Sequence, residues 1–329
     1  MQVHRPLALE NAAQARALLR SCVFCAHKCA ADRTQGPARI CHSDASCRIF
    51  RESFELAGEV GLTPSYSVYL SGCNLACSFC INGVSSQNGL AGSPLDLSRL
   101  AERIEAAAPL ARSVTISGGE PAVHLEAALE IAAWVPRQLQ LVWKTNAYTA
   151  VELLPLLAGV ADVVVADYKF GNGTCARRLA GVPHYCETVE ANLSWFAAHT
   201  RLIVRHLLMP GHWDCCFLPV LQAVARLGAP LSLMGGFMPA GDAAQHGELG
   251  RLLRESEVAG ARREARGRGL TLVPWVMAPG VDAASPESDE IWIDRDGRVF
   301  LKQPSAELSR CLRRIGAELA LDFEECRDR

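Results

Sequence analysis

From residue 65 the chain alternates short, nearly unbroken apolar runs with stretches in which apolar positions recur every three to four residues. The runs are Tyr66 to Ser71, Ser113 to Ser117, Leu139 to Thr145, Val160 to Asp167, Leu202 to Leu208, Leu231 to Met234 and Leu270 to Val276. Helical periodicity occupies Leu97 to Ala107, Val123 to Val135, Ala150 to Leu157, Glu187 to Ala198, Phe217 to Leu227 and Gly247 to Arg266. Runs apolar on both alternations suit a parallel sheet covered on both faces. The order therefore predicts repeated β-α units closing into a whole or partial barrel, with functional groups at the C-terminal strand ends. Polar residues collect at those ends: Lys144-Thr145-Asn146, Asp167-Tyr168-Lys169, Arg205-His206 and His212.

The flanks follow other patterns. Residues 1–58 hold a helical stretch, Asn11 to Leu19, and then a cysteine-rich segment. Residues 59–280 form the expected barrel. Residues 281–329 open on a polar linker and predict a hairpin, Ile291 to Leu301, around Asp296-Gly297. A helix from Ala306 to Leu319 follows, with an apolar stripe expected to cover the barrel.

Composition narrows the class. Half of the 329 residues are hydrophobic, 21% are charged and the formal net charge is -2, so no basic field exists to attract nucleic acid. The opening residues Met1 to Pro6 lack the apolar core of a signal peptide, and no apolar run approaches the length of about 18 residues that spans a bilayer. A cytoplasmic chain is expected, neither membrane-bound nor disulfide-bonded, in which the 14 cysteines bind metal or pack as small hydrophobes.

Two groups of cysteines carry the candidate chemistry. Cys73, Cys77 and Cys80 lie in a loop that opens at Gly72, after the first apolar run. A [4Fe-4S] cluster takes four ligands, so three thiolates leave one iron open to a small chelating molecule; a structural zinc site would be one ligand short. Cys22, Cys25, Cys29 and Cys41 supply four thiolates, enough for zinc or for an auxiliary iron-sulfur cluster. His27 and His42 are expected beside that centre rather than in it. Cys47, Cys311 and Cys326 are not assigned to metal. Cys215 and Cys216, being adjacent, are not expected to point the same way and are left unassigned too.

The spacing Cys73-x3-Cys77-x2-Cys80, with Phe79 before the last cysteine, resembles the signature of the radical S-adenosylmethionine (SAM) superfamily. Gly118-Gly119-Glu120-Pro121, ending the second run, resembles that superfamily's GGEP motif. The resemblance implies a partial (β/α)6-type barrel in which SAM chelates the open iron. Reductive cleavage of SAM then yields a 5′-deoxyadenosyl radical that abstracts a hydrogen atom from the substrate. It implies that Gly118, Gly119 and Glu120 hold the SAM amino group and that Asp167, Lys169 and His206 contact SAM or its surroundings, while Asn146 lines the site. Bulk at Gly119 is expected to block SAM while sparing the cluster.

With the upstream cysteines and the strand-end residues, most of residues 20 to 240 resemble proteins similar to the pyruvate formate-lyase activating enzyme, although auxiliary cysteines in those enzymes follow the cluster motif. The implied partners are an electron donor such as flavodoxin or ferredoxin, and a substrate that is either a protein glycine or a small molecule of a tailoring pathway, sulfur insertion included. The competing reading is a non-catalytic iron-sulfur accessory protein.

Overall fold

Six strands run parallel and side by side in chain order: β3 (Ser65–Leu70), β5 (Ser113–Gly118), β6 (Gln140–Thr145), β7 (Val163–Asp167), β8 (Arg201–Leu207) and β9 (Leu231–Met234). This computed structural model describes residues 2–277 and, beyond them, the strands Ile291–Ile293 and Val299–Leu301. The sheet does not close on itself, so the barrel is partial.

The faces explain the unbroken apolar runs. Val142, Val163, Val165 and Ile203 pack with Leu62 inside the curve of the sheet, whereas Leu141, Trp143, Val164, Ala166, Leu202 and Val204 face the helical layer. Because side chains alternate along a strand, the positions that continue the inner set toward the C-terminal ends are Lys144, Asp167 and Arg205. A one-residue slip in register would turn these charges into the helix-facing core.

Helices α3 (Leu97–Ala107), α4 (Leu125–Ala133), α6 (Tyr185–His199) and α7 (Leu218–Leu227) match their predicted stretches to within a few residues. Ala150 to Leu157 departs: Pro155 lies inside it and the segment is a 3₁₀ helix, Val151–Leu157. Gly247 to Arg266 splits into a 3₁₀ turn and α8 (Glu255–Gly267). A helix absent from the predicted pattern, α5 (Gly173–Ala180), starts where the Asn172 side chain accepts from the Cys175 amide (2.8 Å), and ends at Gly181 in the left-handed conformation (φ 68°).

The seventh apolar run does not become a barrel strand. Pro274 interrupts it and cannot donate to a ladder. Leu272 makes one bridge to Leu231, after which β10 (Trp275–Met277) pairs antiparallel with β2 (Ala57–Glu59).

The N-terminal residues are built into this body. β1 (Arg48–Glu55), which no apolar run marks, adds antiparallel to β3 and extends the sheet, with β4 (Ser93–Pro94) at its outer edge. α1 (Pro6–Ala17) packs on α4, and the buried Arg5 before it donates to the carbonyls of Val135 (3.2 Å), Val160 (3.0 Å) and Leu139 (2.9 Å). Arg33 anchors the cysteine-rich segment in the same way, donating to the carbonyls of Ser43 (3.2 Å), Asp44 (2.6 Å) and Val123.

At the other end, Ile291–Ile293 pairs antiparallel with Val299–Leu301, the two arms of the predicted hairpin, while the Asp296-Gly297 turn lies outside the described residues. The helix expected over Ala306 to Leu319 lies outside the described residues, as do Cys311 and Cys326. No helix among the described residues is long and apolar enough to cross a membrane.

Candidate active site

The loop carrying Cys73, Cys77 and Cys80 leaves the C-terminal end of β3 and turns at Gly72 (φ 83°). Neighbouring elements hold it from several sides. The carbonyls of Ala180 and Leu179, at the end of α5, accept from the amides of Ala76 (3.0 Å) and Ser78 (2.8 Å). Gln87 donates to the Cys77 carbonyl (3.0 Å), and Phe79 packs between Phe170 and Phe237. The three sulfurs themselves remain available as ligands. Cys73 Sγ accepts from the Leu75 amide (3.4 Å) and Asn146 Nδ2 (3.7 Å), donors suited to a thiolate, and Cys80 Sγ lies 3.3 Å from Ser86 Oγ. Burial pushes the Cys77 thiol up to about 12, with the Lys169 ammonium the main opposing influence. Bound iron would supply the charge that keeps such a sulfur deprotonated.

The turn Gly118-Gly119-Glu120 is clamped onto this loop. Gly119 N–H donates to the Leu70 carbonyl (2.7 Å) and Glu120 N–H to the Gly72 carbonyl (2.9 Å). Gly118 sits at φ 124°, and a Cβ on it would strike the Leu70 backbone; one on Gly119 would strike the Gly72 carbonyl. The expectation that bulk at Gly119 spares the cluster is therefore corrected, because the side chain would displace the cluster loop itself. Overpacking costs about 1–3 kcal/mol, so Gly119→Val should reduce iron retention and SAM affinity together, by roughly tenfold to a hundredfold. Iron analysis beside equilibrium SAM binding would check this, and an intact cluster with weakened SAM binding would restore the first expectation.

Glu120 is buried with both oxygens occupied. Oε1 accepts from Thr145 Oγ1 (2.8 Å) and the Ala122 amide (3.1 Å), and Oε2 accepts from the Asn146 amide (2.7 Å). Burial raises its carboxyl to about 7 against those donors. It thus ties the end of β5 to the end of β6. Asn146, also buried, reaches the site more directly: Nδ2 donates to Asn74 Oδ1 (2.7 Å) besides touching Cys73 Sγ.

Inside the barrel Asp167 is the hub. Its Oδ1 takes Arg205 Nε (2.6 Å) and its Oδ2 takes Lys169 Nζ (2.5 Å), with Arg205 Nη1 3.8 Å from Glu59 Oε1. Burial pushes the Asp167 carboxyl up, but Arg205 and Lys169 outweigh it and hold the group well below the usual carboxylate range. Burial lowers the Lys144 ammonium, with Arg205 adding to the effect and Glu59 and Glu55 opposing it. Arg205 and Lys144, strand-end residues to which the resemblance gave no SAM contact, are inward-facing cations. The inward alternation through Ile203 and Val142 is the signal that finds them.

His206 does not join this set. It shares the helix-facing alternation of Val204, stacks on Phe217 at 5.9 Å, and its Nδ1 donates to the Tyr168 carbonyl (2.7 Å). Burial lowers it to about 4, so the ring is neutral at pH 7.

The N-terminal cysteines lie against the cluster loop. His27 Nε2 donates to the Asn74 carbonyl (2.9 Å) and its ring packs edge-on against Tyr148, so His27 ties the two loops together. Burial pushes Cys25 up to about 12, and Cys22, Cys41 and Cys29 each add to it, so these three lie within electrostatic reach of Cys25. Among the described residues a single group of Cys, His and carboxylate side chains has all its ligand atoms within 4.8 Å, and it lies elsewhere: Cys175, His212, Cys215 and Cys216. The expectation that Cys215 and Cys216 cannot point the same way is thereby overturned. They sit in a π turn, Trp213–Phe217, where the Phe217 amide reaches back five residues to the His212 carbonyl (3.0 Å). That wider turn rotates less per residue than an α-helix, so neighbouring side chains diverge less.

Comparison with known proteins agrees with this geometry. Residues 60–181, which hold both the cysteine loop and the glycine turn, match the family model of a 4Fe-4S single cluster domain. An uncharacterized protein of Methanocaldococcus jannaschii is 30% identical over 269 residues, 79% of this chain and 78% of that one. Solved structures give weaker likenesses. SuiB of Streptococcus suis bound to the precursor peptide SuiA is 13% identical with a TM-score of 0.49, over 61% of this chain and 46% of that one. A radical SAM methyltransferase from Sphaerobacter thermophilus is 15% identical with a TM-score of 0.48, over 64% and 66%. The chain thus spans about half the length of SuiB. The open parallel barrel carries three cysteines in the loop after its first barrel strand, within the residues that match the 4Fe-4S domain. The chain belongs to one family with the Methanocaldococcus jannaschii protein, and its residues 60–181 match a 4Fe-4S single cluster domain.

Proposed function

We propose that this chain is a radical SAM enzyme that binds SAM at the mouth of the barrel, between the cysteine loop and the Asp167–Lys169–Arg205 network. The observation that carries this reading is the convergence of three sulfurs with an inner wall of fixed charge at the same C-terminal strand ends. With the cluster loaded and reduced, cleavage of SAM would supply a 5′-deoxyadenosyl radical able to take a hydrogen atom from the substrate. The chain's own part is positional. Asn146 touches a ligand sulfur, Gly118 and Gly119 set the loop height, and Lys169 places a cation beside Cys77. The substrate is a protein glycine or a small molecule, and the electron comes from a flavodoxin or ferredoxin in the cytoplasm. Anaerobic reduction with SAM tests the proposal: release of 5′-deoxyadenosine supports it, whereas an intact cluster that leaves SAM untouched marks an accessory protein.

Cys22, Cys25, Cys29 and Cys41 we assign to a second metal centre, because four cysteines fall within twenty residues and Cys22, Cys29 and Cys41 lie close enough to Cys25 to act on its thiol. Cys25→Ser should release one centre. A loss of about four irons with labile sulfide would identify a cluster and about one zinc a structural site, while unchanged metal content would remove the assignment.

A further inference from the structure

The group on α5 and the π turn has the shape of a metal site. His212 Nδ1 lies 3.3 Å from Cys215 Sγ, 3.5 Å from Cys216 Sγ and 3.6 Å from Cys175 Sγ. A neutral imidazole nitrogen has one lone pair and accepts one hydrogen bond, so three thiols crowded about a single nitrogen are not explained by hydrogen bonding. A tetrahedral ion explains them. With Zn–S near 2.3 Å and Zn–N near 2.0–2.1 Å, the N···S edges of the tetrahedron come to about 3.5–3.6 Å and the S···S edges to about 3.8 Å. All four ligand atoms lie within 4.8 Å of one another. Cys175, Cys216 and His212 are at most 7% exposed.

The surroundings are arranged for thiolates. Asn172 Nδ2 donates to Cys175 Sγ (3.3 Å) and reaches Cys216 Sγ at 4.0 Å, while also holding the Cys215 carbonyl (2.6 Å). The Asn172 side-chain oxygen caps α5 through the Cys175 amide. One amide therefore fixes both halves of the group, as partners behind metal ligands do. Gly171 has no room for a Cβ against the Cys216 backbone, so the two loops are already in contact.

We propose that Cys175, His212, Cys215 and Cys216 bind one zinc ion in a closed Cys₃His site. Four protein ligands leave no open position, which makes the site structural. It staples the loop after β7 to the loop after β8, the two strands that carry Asp167 and Arg205. It also fixes the start of α5, whose last carbonyls hold the amides of Ala76 and Ser78 in the cysteine loop. The metal would thus brace the cluster loop from behind without touching the reaction.

Zinc per chain is measured on the full-length protein purified under reducing conditions with Zn²⁺ added. One equivalent should be present that disappears in Cys175→Ser and in Cys216→Ser and survives in Cys25→Ser. Should the serine variants fail to fold, His212→Cys decides. With Co²⁺ in place of Zn²⁺, its visible spectrum should shift from a three-sulfur, one-nitrogen pattern to a four-sulfur one, at unchanged stoichiometry. A chain that takes up no zinc, zinc that persists unchanged in Cys216→Ser, a cobalt spectrum that ignores His212→Cys, or a disulfide within the group in the reduced preparation would each overturn the assignment.

Discussion

Replacing any one of Cys73, Cys77 and Cys80 by Ala should leave the anaerobically reconstituted chain without its [4Fe-4S] cluster and reduce reductive SAM cleavage to background, with the fold retained. On the proposed reading three irons of the cubane depend on these thiolates and the fourth has no protein ligand, so a missing sulfur would leave half of the cluster unsupported. The fold survives because the loop is held by contacts other than iron: the carbonyls at the end of α5, the Gln87 amide and the Phe79 cluster. Iron and labile sulfide report the cluster, 5′-deoxyadenosine release reports the chemistry, and far-ultraviolet circular dichroism reports the fold. Wild-type turnover in any of the three variants would end the radical SAM reading. Zinc bound at Cys175, His212, Cys215 and Cys216 should stay in place throughout, which separates the two centres in one metal analysis.

The second large effect is expected at Asp167, where Ala should destabilise the chain by about 3–5 kcal/mol, the range for breaking a buried ion pair. The side chains of Asp167 and Arg205 are each 16% exposed, so the loss leaves Arg205 and Lys169 facing each other in a poorly solvated wall. Glu59, 3.8 Å from Arg205, would compensate only in part. Denaturant midpoints of the wild type, Asp167→Ala and the double variant Asp167→Ala/Arg205→Met should show the double variant recovering part of the loss, because it removes the stranded guanidinium. A single-variant cost under about 1 kcal/mol, as for an exposed pair, would mean that water reaches the network freely.

The inner charges show how far periodicity carries and where it stops. Lys144, Asp167 and Arg205 each follow an inward apolar residue by two positions, so their common face could be read from alternation once the strands were placed. The family resemblance and a strand-end position group His206 with Asp167 and Lys169. Strand geometry separates it from the neighbouring Arg205, since adjacent residues face opposite sides of a sheet.

Local chemistry determined much from the chain alone. The cysteine loop after an apolar run, the glycine turn ending the next run, and the six parallel strands are short-range signals, each set by a few residues and their spacing. Tertiary structure decided what depends on residues far apart in the chain. Arg48–Glu55 reads as polar and became a sheet strand because β3 offered an open edge. Leu270 to Val276 reads as a strand and was turned away at Pro274 to pair with Ala57–Glu59. The Cys175, His212, Cys215 and Cys216 group was invisible as spacing, because a separation of 37 residues between Cys175 and His212 carries no signal until two loops meet, and because the π turn that brings the adjacent cysteines to one side here is not written in their spacing. Gly119 likewise carries a motif in sequence, but the carbonyl of Gly72 sets its size limit, a contact that exists only once β3 and β5 lie side by side.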